Sequence, residues 1–224
     1  MAKSRKNLIL ARLSSDDFAL LQPHLEPADL PLRKVLEKRG KPIKAVYFPE
    51  SGFASVVADS DTRPIEVGLI GREGMTGLPV LLGSDRNDHD TFMQSAGEGH
   101  CIRANHLREA IDKSVTLHRT MLQYVLAFVN QTTKTAVANG RSKIEDRLAR
   151  WLLMADDRID GDELTLTHEF LAMMLCVRRA GVTVAIKELE RRALVARRRG
   201  HIVILDREGL EKMSNGTYVA AHDW

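Results

Sequence analysis

Eight basic residues crowd one stretch of this 224-residue chain: Arg178, Arg179, Lys187, Arg191, Arg192, Arg197, Arg198 and Arg199. Only Glu188 and Glu190 oppose them, so the stretch carries +6 while the whole chain carries +3. Guanidinium and ammonium groups at that density suit one chemistry above others. They displace the counterions of a polyphosphate and donate hydrogen bonds to its oxygens. A charge run alone is usually a solvated face, so the elements that carry it must decide.

Other chemistries lack their residues. There is no Gly-x-Ser-x-Gly, no phosphate-loop lysine, no His-Glu-x-x-His and no readable carboxylate pair. His24, His89, His106, His118 and His168 are scattered, so an enzyme is not expected. Cys101 and Cys176 are the two cysteines, and without a Cys-x-x-Cys pair neither a zinc ribbon nor a four-cysteine iron–sulfur site can form. The acidic segment Asp156-Asp157 and Asp160-Gly161-Asp162-Glu163 lacks the ligand spacing of a calcium loop and reads as a solvated loop. No metal and no cofactor is expected. The apolar run Leu8–Ala11 is too short for a signal peptide, and Val125–Val129 is far below a membrane span, which points to a cytoplasmic protein.

The elements around the basic stretch give it meaning. Thr167 is placed to cap a short helix carrying Phe170, Leu171, Met174 and Leu175 inward, with Leu166 and Leu171 as a hydrophobic staple. After a turn near Cys176-Val177, a second helix from Arg178 or Arg179 to Ala193 buries Val182, Ala185, Ile186, Leu189 and Ala193. Its opposite face presents Ala180, Val184, Lys187 and Arg191. Residues 194–205 then read as a hairpin with Arg197, Arg198 and Arg199 at its tip. Two short helices, the second with a basic N-terminus, followed by a basic hairpin, form the pattern of a winged helix-turn-helix.

Upstream, 45–48, 53–58, 65–70, 91–94 and 100–102 read as short strands, with Pro49–Gly52 and Gly97-Glu98-Gly99 as turns. Residues 105–112 read as a helix, and Ser114 caps a long one that ends at Asn139-Gly140, where a hinge is expected. Leu117, Met121, Tyr124 and Phe128 share one face of it, and Leu122, Val125, Val129 and Ala136 another. A helix apolar on two sides must be covered twice, and a second copy across a two-fold axis is the simplest second cover. Burial within one domain is the rival reading. Ser142 is expected to cap a further, surface-docked amphipathic helix with Ile144, Leu148, Trp151, Leu152 and Ala155 on one face.

The segment 166–205, with Leu171–Arg179 and Lys187-Glu188-Leu189-Glu190, resembles the DNA-binding domain of the Crp/Fnr regulators, and the order of elements extends the likeness over the whole chain. That resemblance implies an α+β architecture. A double-stranded jelly-roll-like β-roll sensor (1–112) precedes a long dimerisation helix and hinge (113–140) and a C-terminal winged helix-turn-helix (141–224). It implies double-stranded DNA, a second copy and RNA polymerase as partners. The residues expected at DNA are Thr167, Arg178, Arg179, Ala180, Thr183, Val184, Lys187, Arg191, Arg197, Arg198 and Arg199. Those expected at the dimer interface are Leu117, Met121, Tyr124, Val125, Phe128, Val129 and Thr132.

Two departures from the family pattern stand out. Ala180 and Val184 replace a base-reading Glu and a second Arg, so the operator should differ from that of the cAMP receptor type. In the sensor, Gly71, Arg72, Glu73, Gly74, Met75 and Thr76, with Arg86 and Thr91, form the candidate ligand pocket. His89-Asp90 stands where a phosphate arginine belongs, and the surrounding aspartates disfavour cAMP. No cysteine precedes residue 100, so an Fnr-type cluster is not expected. A cyclic-nucleotide-type sensor acting on a protein partner is the alternative function.

Overall fold

The structure, a computed structural model, describes residues 5–58, 64–161, 163–165, 167–198 and 201–221. Two compact units emerge: one from residues up to 56 together with 69–129, the other from 57–68 together with 130–223.

The first unit opens with α1 (Leu8–Arg12) and α2 (Ser15–Leu21). Asn7 caps α1 by accepting from Leu10 N–H, while its amide donates to the carbonyls of Pro49 and Gly74. Seven antiparallel strands follow: β1 (Glu26–Leu30), β2 (Val35–Glu37), β3 (Ala45–Pro49), β4 (Phe53–Ala58), β5 (Ile65–Ile70), β6 (His89–Ser95) and β7 (Gly97–Arg103). They form one sheet in the order β1-β7-β3 and another in the order β2-β6-β4-β5. The outer parts of β4 and β5, residues 57–58 and 65–68, group with the second unit. Strands β3 to β7 fall on the runs legible in the sequence. β1 and β2 do not alternate cleanly, and β1 contains Pro27, which an edge strand tolerates.

Gly97, Glu98 and Gly99 belong to β7 instead of forming a turn. The two glycines let backbones meet: a Cβ would lie 2.0 Å from Ser51 O at Gly97 and 2.3 Å from Phe48 O at Gly99. Between β5 and β6 lies the short helix α3 (Leu78–Leu81). α4 (Ala104–Lys113) then leads to α5 (Val115–Arg141). Ser114 opens α5 as expected, its hydroxyl accepting from Leu117 N–H at 3.2 Å.

The expected break at Asn139-Gly140 is absent. α5 runs through both residues, and Ser142 N–H still closes a helical bond to Ala138 O at 2.9 Å. A helical glycine costs only about 1 kcal/mol, and Ala138, 2% exposed, is held by packing.

In the second unit, α6 (Ile144–Asp156) is preceded by Lys143 and not capped by Ser142. α6 is also not surface-docked, because Leu148 through Ala155 are all buried. Its Arg150 is held by Thr217 O, Thr135 Oγ1 and Gln131 O, and burial pushes its pKa down to about 10. The unit continues with β8 (Glu163–Thr165), α7 (His168–Met174), α8 (Arg179–Arg191), β9 (Val195–Arg198), β10 (His201–Ile204) and α9 (Arg207–Met213); α8 and α9 pack on α6, and the sheet order is β8-β10-β9. Asp156 and Asp157, expected in a solvated loop, instead bind Arg207 at 2.6 and 2.5 Å. Tyr218 Oη donates to Asp157 at 2.8 Å, and Asp157 is closed from solvent.

Candidate nucleic-acid interface

α7 and α8 are joined by a tight turn at Cys176, whose φ of 50° reverses the chain. Thr167 caps α7 as expected, accepting from Phe170 N–H at 3.1 Å. Phe170 packs edge-on against Trp151 of α6 at 5.7 Å between ring centroids, which fixes α7 to the scaffold. Trp151 itself donates its indole N–H to Glu66 Oε1 at 2.6 Å. Leu171, Met174 and Leu175 are buried with Val182, Ala185, Ile186 and Leu189 of α8, so one face of α8 is committed to the core. Ala193 lies past the helix end with a φ of 55° and faces solvent.

The other face of α8 is left to solvent. Arg178, Arg179, Ala180, Val184, Lys187 and Arg191 are exposed and Thr183 half-exposed. β9 and β10 pair antiparallel, with Arg198 opposite His201 and Arg197 opposite Ile202, and both arginines are exposed. Arg199 and Leu166 lie outside the described residues. The structure thus places Arg178, Arg179, Ala180, Thr183, Val184, Lys187 and Arg191 along α8 and its start, and Arg197 and Arg198 on the adjoining hairpin, while Thr167 stands apart as the cap of α7. Such a protruding face, backed by a packed core, can enter a groove about 12 Å wide.

Several contacts on this face escape simple sequence reading. Arg179 is oriented by Glu169, Nη1 to Oε1 at 3.3 Å. The Thr183 hydroxyl donates to Arg179 O at 3.2 Å and meets His168 Nδ1 at 3.1 Å, tying α7 to the middle of α8. Glu188 takes Arg191 in a two-pronged pair, 2.8 Å on each oxygen, and Arg192 Nε at 2.7 Å. These arginines hold its pKa down to about 2. Glu190 accepts from Arg197 Nε at 2.9 Å, which lowers the carboxyl's pKa and raises that of the guanidinium. The Glu188 pairs stand at the helical spacings of three and four. The Glu190–Arg197 pair crosses from helix to hairpin and carries no such signal.

The residues expected to line a ligand pocket are mostly buried. Gly71, Glu73, Gly74, Met75, Thr76 and Thr91 are buried, and Arg72 is half-buried. Glu73 accepts from Gly71 N–H at 3.1 Å, and Thr76 Oγ1 accepts from Tyr47 N–H at 3.0 Å. Thr91 Oγ1 donates to Glu37 at 3.2 Å. Buried Glu37 also takes Asn87 Nδ2 at 2.6 Å and the Gly77 N–H, and burial raises its pKa despite these donors. Arg86 points elsewhere, its guanidinium on Gly40 O at 3.2 Å. Asp90 is drawn to Lys38 and Arg39 N–H at 2.5 and 2.7 Å. Of the residues expected at a ligand, Thr91 is thus engaged by a buried protein carboxyl, Glu37.

Along α5 the two apolar faces have different fates. Leu117, Met121, Tyr124 and Phe128 are buried inside the first unit, so these four cannot form a surface for a second copy. Tyr124 sits so close to Gly74 that a Cβ there would meet its hydroxyl at 2.1 Å. Val125 and Thr132 are half-exposed. The open stripe is Val115, Leu122, Leu126, Val129 and Val137, with Leu126 62% exposed and Val129 50% exposed. Among the described residues no helix is long and apolar enough to cross a membrane, and no group of three or more His, Cys, Asp or Glu is placed to hold a metal.

Comparison with known proteins agrees with this geometry. The Crp-like helix-turn-helix domain family matches residues 146–213. A protein from Eubacterium rectale assigned to the Crp/Fnr family has a similar structure, with a TM-score of 0.73 at 18% identity over 94% of this chain and 99% of that one. The c-di-GMP responsive global regulator CLP of Xanthomonas campestris gives a TM-score of 0.67 at 19% identity, over 85% of this chain and 99% of that one. FixK2 from Bradyrhizobium japonicum gives 0.72 at 15% identity, over 84% and 96%. No curated protein matches the chain. Residues 146–213 are a Crp-like helix-turn-helix domain, carried on a chain with the fold of the Crp/Fnr transcriptional regulators.

Proposed function

We propose that this chain is a transcription regulator that binds a palindromic operator as a homodimer, with α8 in the major groove and the β9–β10 hairpin against the phosphates. The observation that carries this reading is the exposed face of α8. Its groove-facing positions combine one guanidinium at the N-terminus, Arg179, with the small or apolar Ala180 and Val184. An arginine there can bond a guanine edge in two places, while Ala180 and Val184 suit thymine methyls. The second copy is supplied by the open stripe of α5, where Leu122, Leu126 and Val129 follow a four-three spacing typical of paired helices. RNA polymerase is the further partner expected of such a regulator. The front unit is not expected to bind cAMP: His89-Asp90 stands where the family's phosphate arginine belongs, Thr91 is engaged by Glu37, and Arg86 is turned to Gly40 O.

Duplex fragments selected from the source genome by the full chain test the reading. Binding should be duplex-specific, in the nanomolar range at physiological salt, and steeply weakened as salt rises. Binding that ignores salt, or that prefers single strands, would overturn it.

A further inference from the structure

Glu188 and Glu190 are the two acids within the basic stretch 178–199, and each is spent on arginines that a phosphate would otherwise attract. Arg191 and Arg192 converge on one carboxylate through three N–H groups at 2.7–2.8 Å. Arg197, on the hairpin, is tied to Glu190 at 2.9 Å. The arginine side chains remain 43–70% exposed, and the two carboxylates are about one-quarter exposed, so the pairs lie at the surface where DNA would dock. Arg178 and Arg198, by contrast, have no ion pair among the described residues.

Resting on the DNA-binding reading above, we infer that Glu188 and Glu190 act as internal competitors of the DNA backbone, holding Arg191, Arg192 and Arg197 off the phosphates and setting the strength of sequence-independent binding. A phosphate approaching this face meets guanidiniums whose charge is offset by a carboxylate at 2.7–2.9 Å, and to reach Arg191 Nε and Nη2, Arg192 Nε or Arg197 Nε it must displace that carboxylate. Exposed pairs of this kind are weak enough to be exchanged, so they restrain binding without abolishing it. Arg179 is outside this arrangement, since its partner Glu169 lies on α7. The restraint therefore acts on affinity for any duplex, and base reading is left alone.

The test is the affinity of the full chain for random duplex DNA across a salt series, for the wild type, Glu188→Gln, Glu190→Gln and the pair. Each arginine released onto a phosphate should steepen the salt slope by about 0.9, which at 0.1 M salt is roughly an eightfold gain relative to 1 M. Glu→Gln also removes a negative charge, so a cycle separates the two effects. In an Arg191→Ala/Arg192→Ala background, Glu188→Gln should tighten binding only by the small charge effect and leave the salt slope unchanged. If the gain there equals that in the native background, Glu188 acts through its own charge alone and the inference falls. Unchanged or weaker binding of Glu188→Gln in the native background overturns it too, since the pairs would then only brace the site. A wild type that shows no salt-dependent duplex binding would instead defeat the DNA-binding reading itself. Glu188→Asp keeps the charge but shortens the reach, and it should lie between wild type and Glu188→Gln.

Discussion

Two arginines on the same face are predicted to do different work. Arg179 stands at the first position of α8, next to Ala180, and Glu169 steadies its guanidinium. A two-pronged bond to guanine is worth roughly 1–3 kcal/mol of discrimination against the wrong base. Arg179→Ala should therefore weaken operator binding far more than binding to random DNA. Arg198 lies on β9 at the exposed hairpin end. Arg198→Ala should weaken both DNAs alike and flatten the salt slope by about one unit. Both are measured by titration on the two DNAs over a salt series, and equal losses for Arg179→Ala would remove its base-reading role. The positions of these residues were legible because helix period and charge pattern coincide in 178–199. Their partners were less so: Glu169 and His168 reach α8 only after the turn at Cys176 folds the helices together.

At the scale of elements, α5 carries two predictions. Its open stripe should form the dimer seam, so Leu126→Glu with Val129→Glu should give a monomer in sedimentation while the fold persists. Substituting Phe128 would instead injure the core, because that side chain is buried in the first unit. The double apolar character of α5 was plain in the sequence. Which stripe faced inward was not, since both are apolar and contacts distant in sequence, such as Tyr124 against Gly74, decide between them.

The start of α5 supplies the second prediction. Ser114 caps the helix and also donates to Asp17 of α2, and this bond leads the lowering of that carboxyl's pKa, with Thr116 and Ser14 adding to it against burial. A carboxyl lowered on folding stabilises above its unfolded pKa, and that stability is lost as pH falls through the folded value. Ser114→Ala should cost about 1 kcal/mol near neutrality. Denaturant melts down a pH series should show the cost shrinking in acid as Asp17 is protonated. A cost that stays constant with pH would show that Asp17 takes no part. Other elements misled the sequence reading for stated reasons: packing carried α5 through Gly140, and Arg207 drew Asp156 and Asp157 out of solvent.

For the whole molecule, the order of elements was readable from the Gly- and Pro-punctuated strands, the long helix and the basic C-terminal pattern. What escaped was the grouping of residues 57–58 and 64–68 with the second unit and the pairing of Thr91 with buried Glu37, both products of contacts distant in sequence. The proposed regulator is a two-fold dimer presenting one α8 per half-site. Such a dimer needs adjacent major grooves one helical turn apart, about 34 Å or ~10 base pairs. Footprinting of the full chain on genomic fragments that it selects measures this directly. The predicted result is an inverted repeat with half-site centres at that spacing, protected symmetrically on one face of the duplex. A direct repeat, an unsymmetrical footprint or protection without any preferred sequence would contradict it.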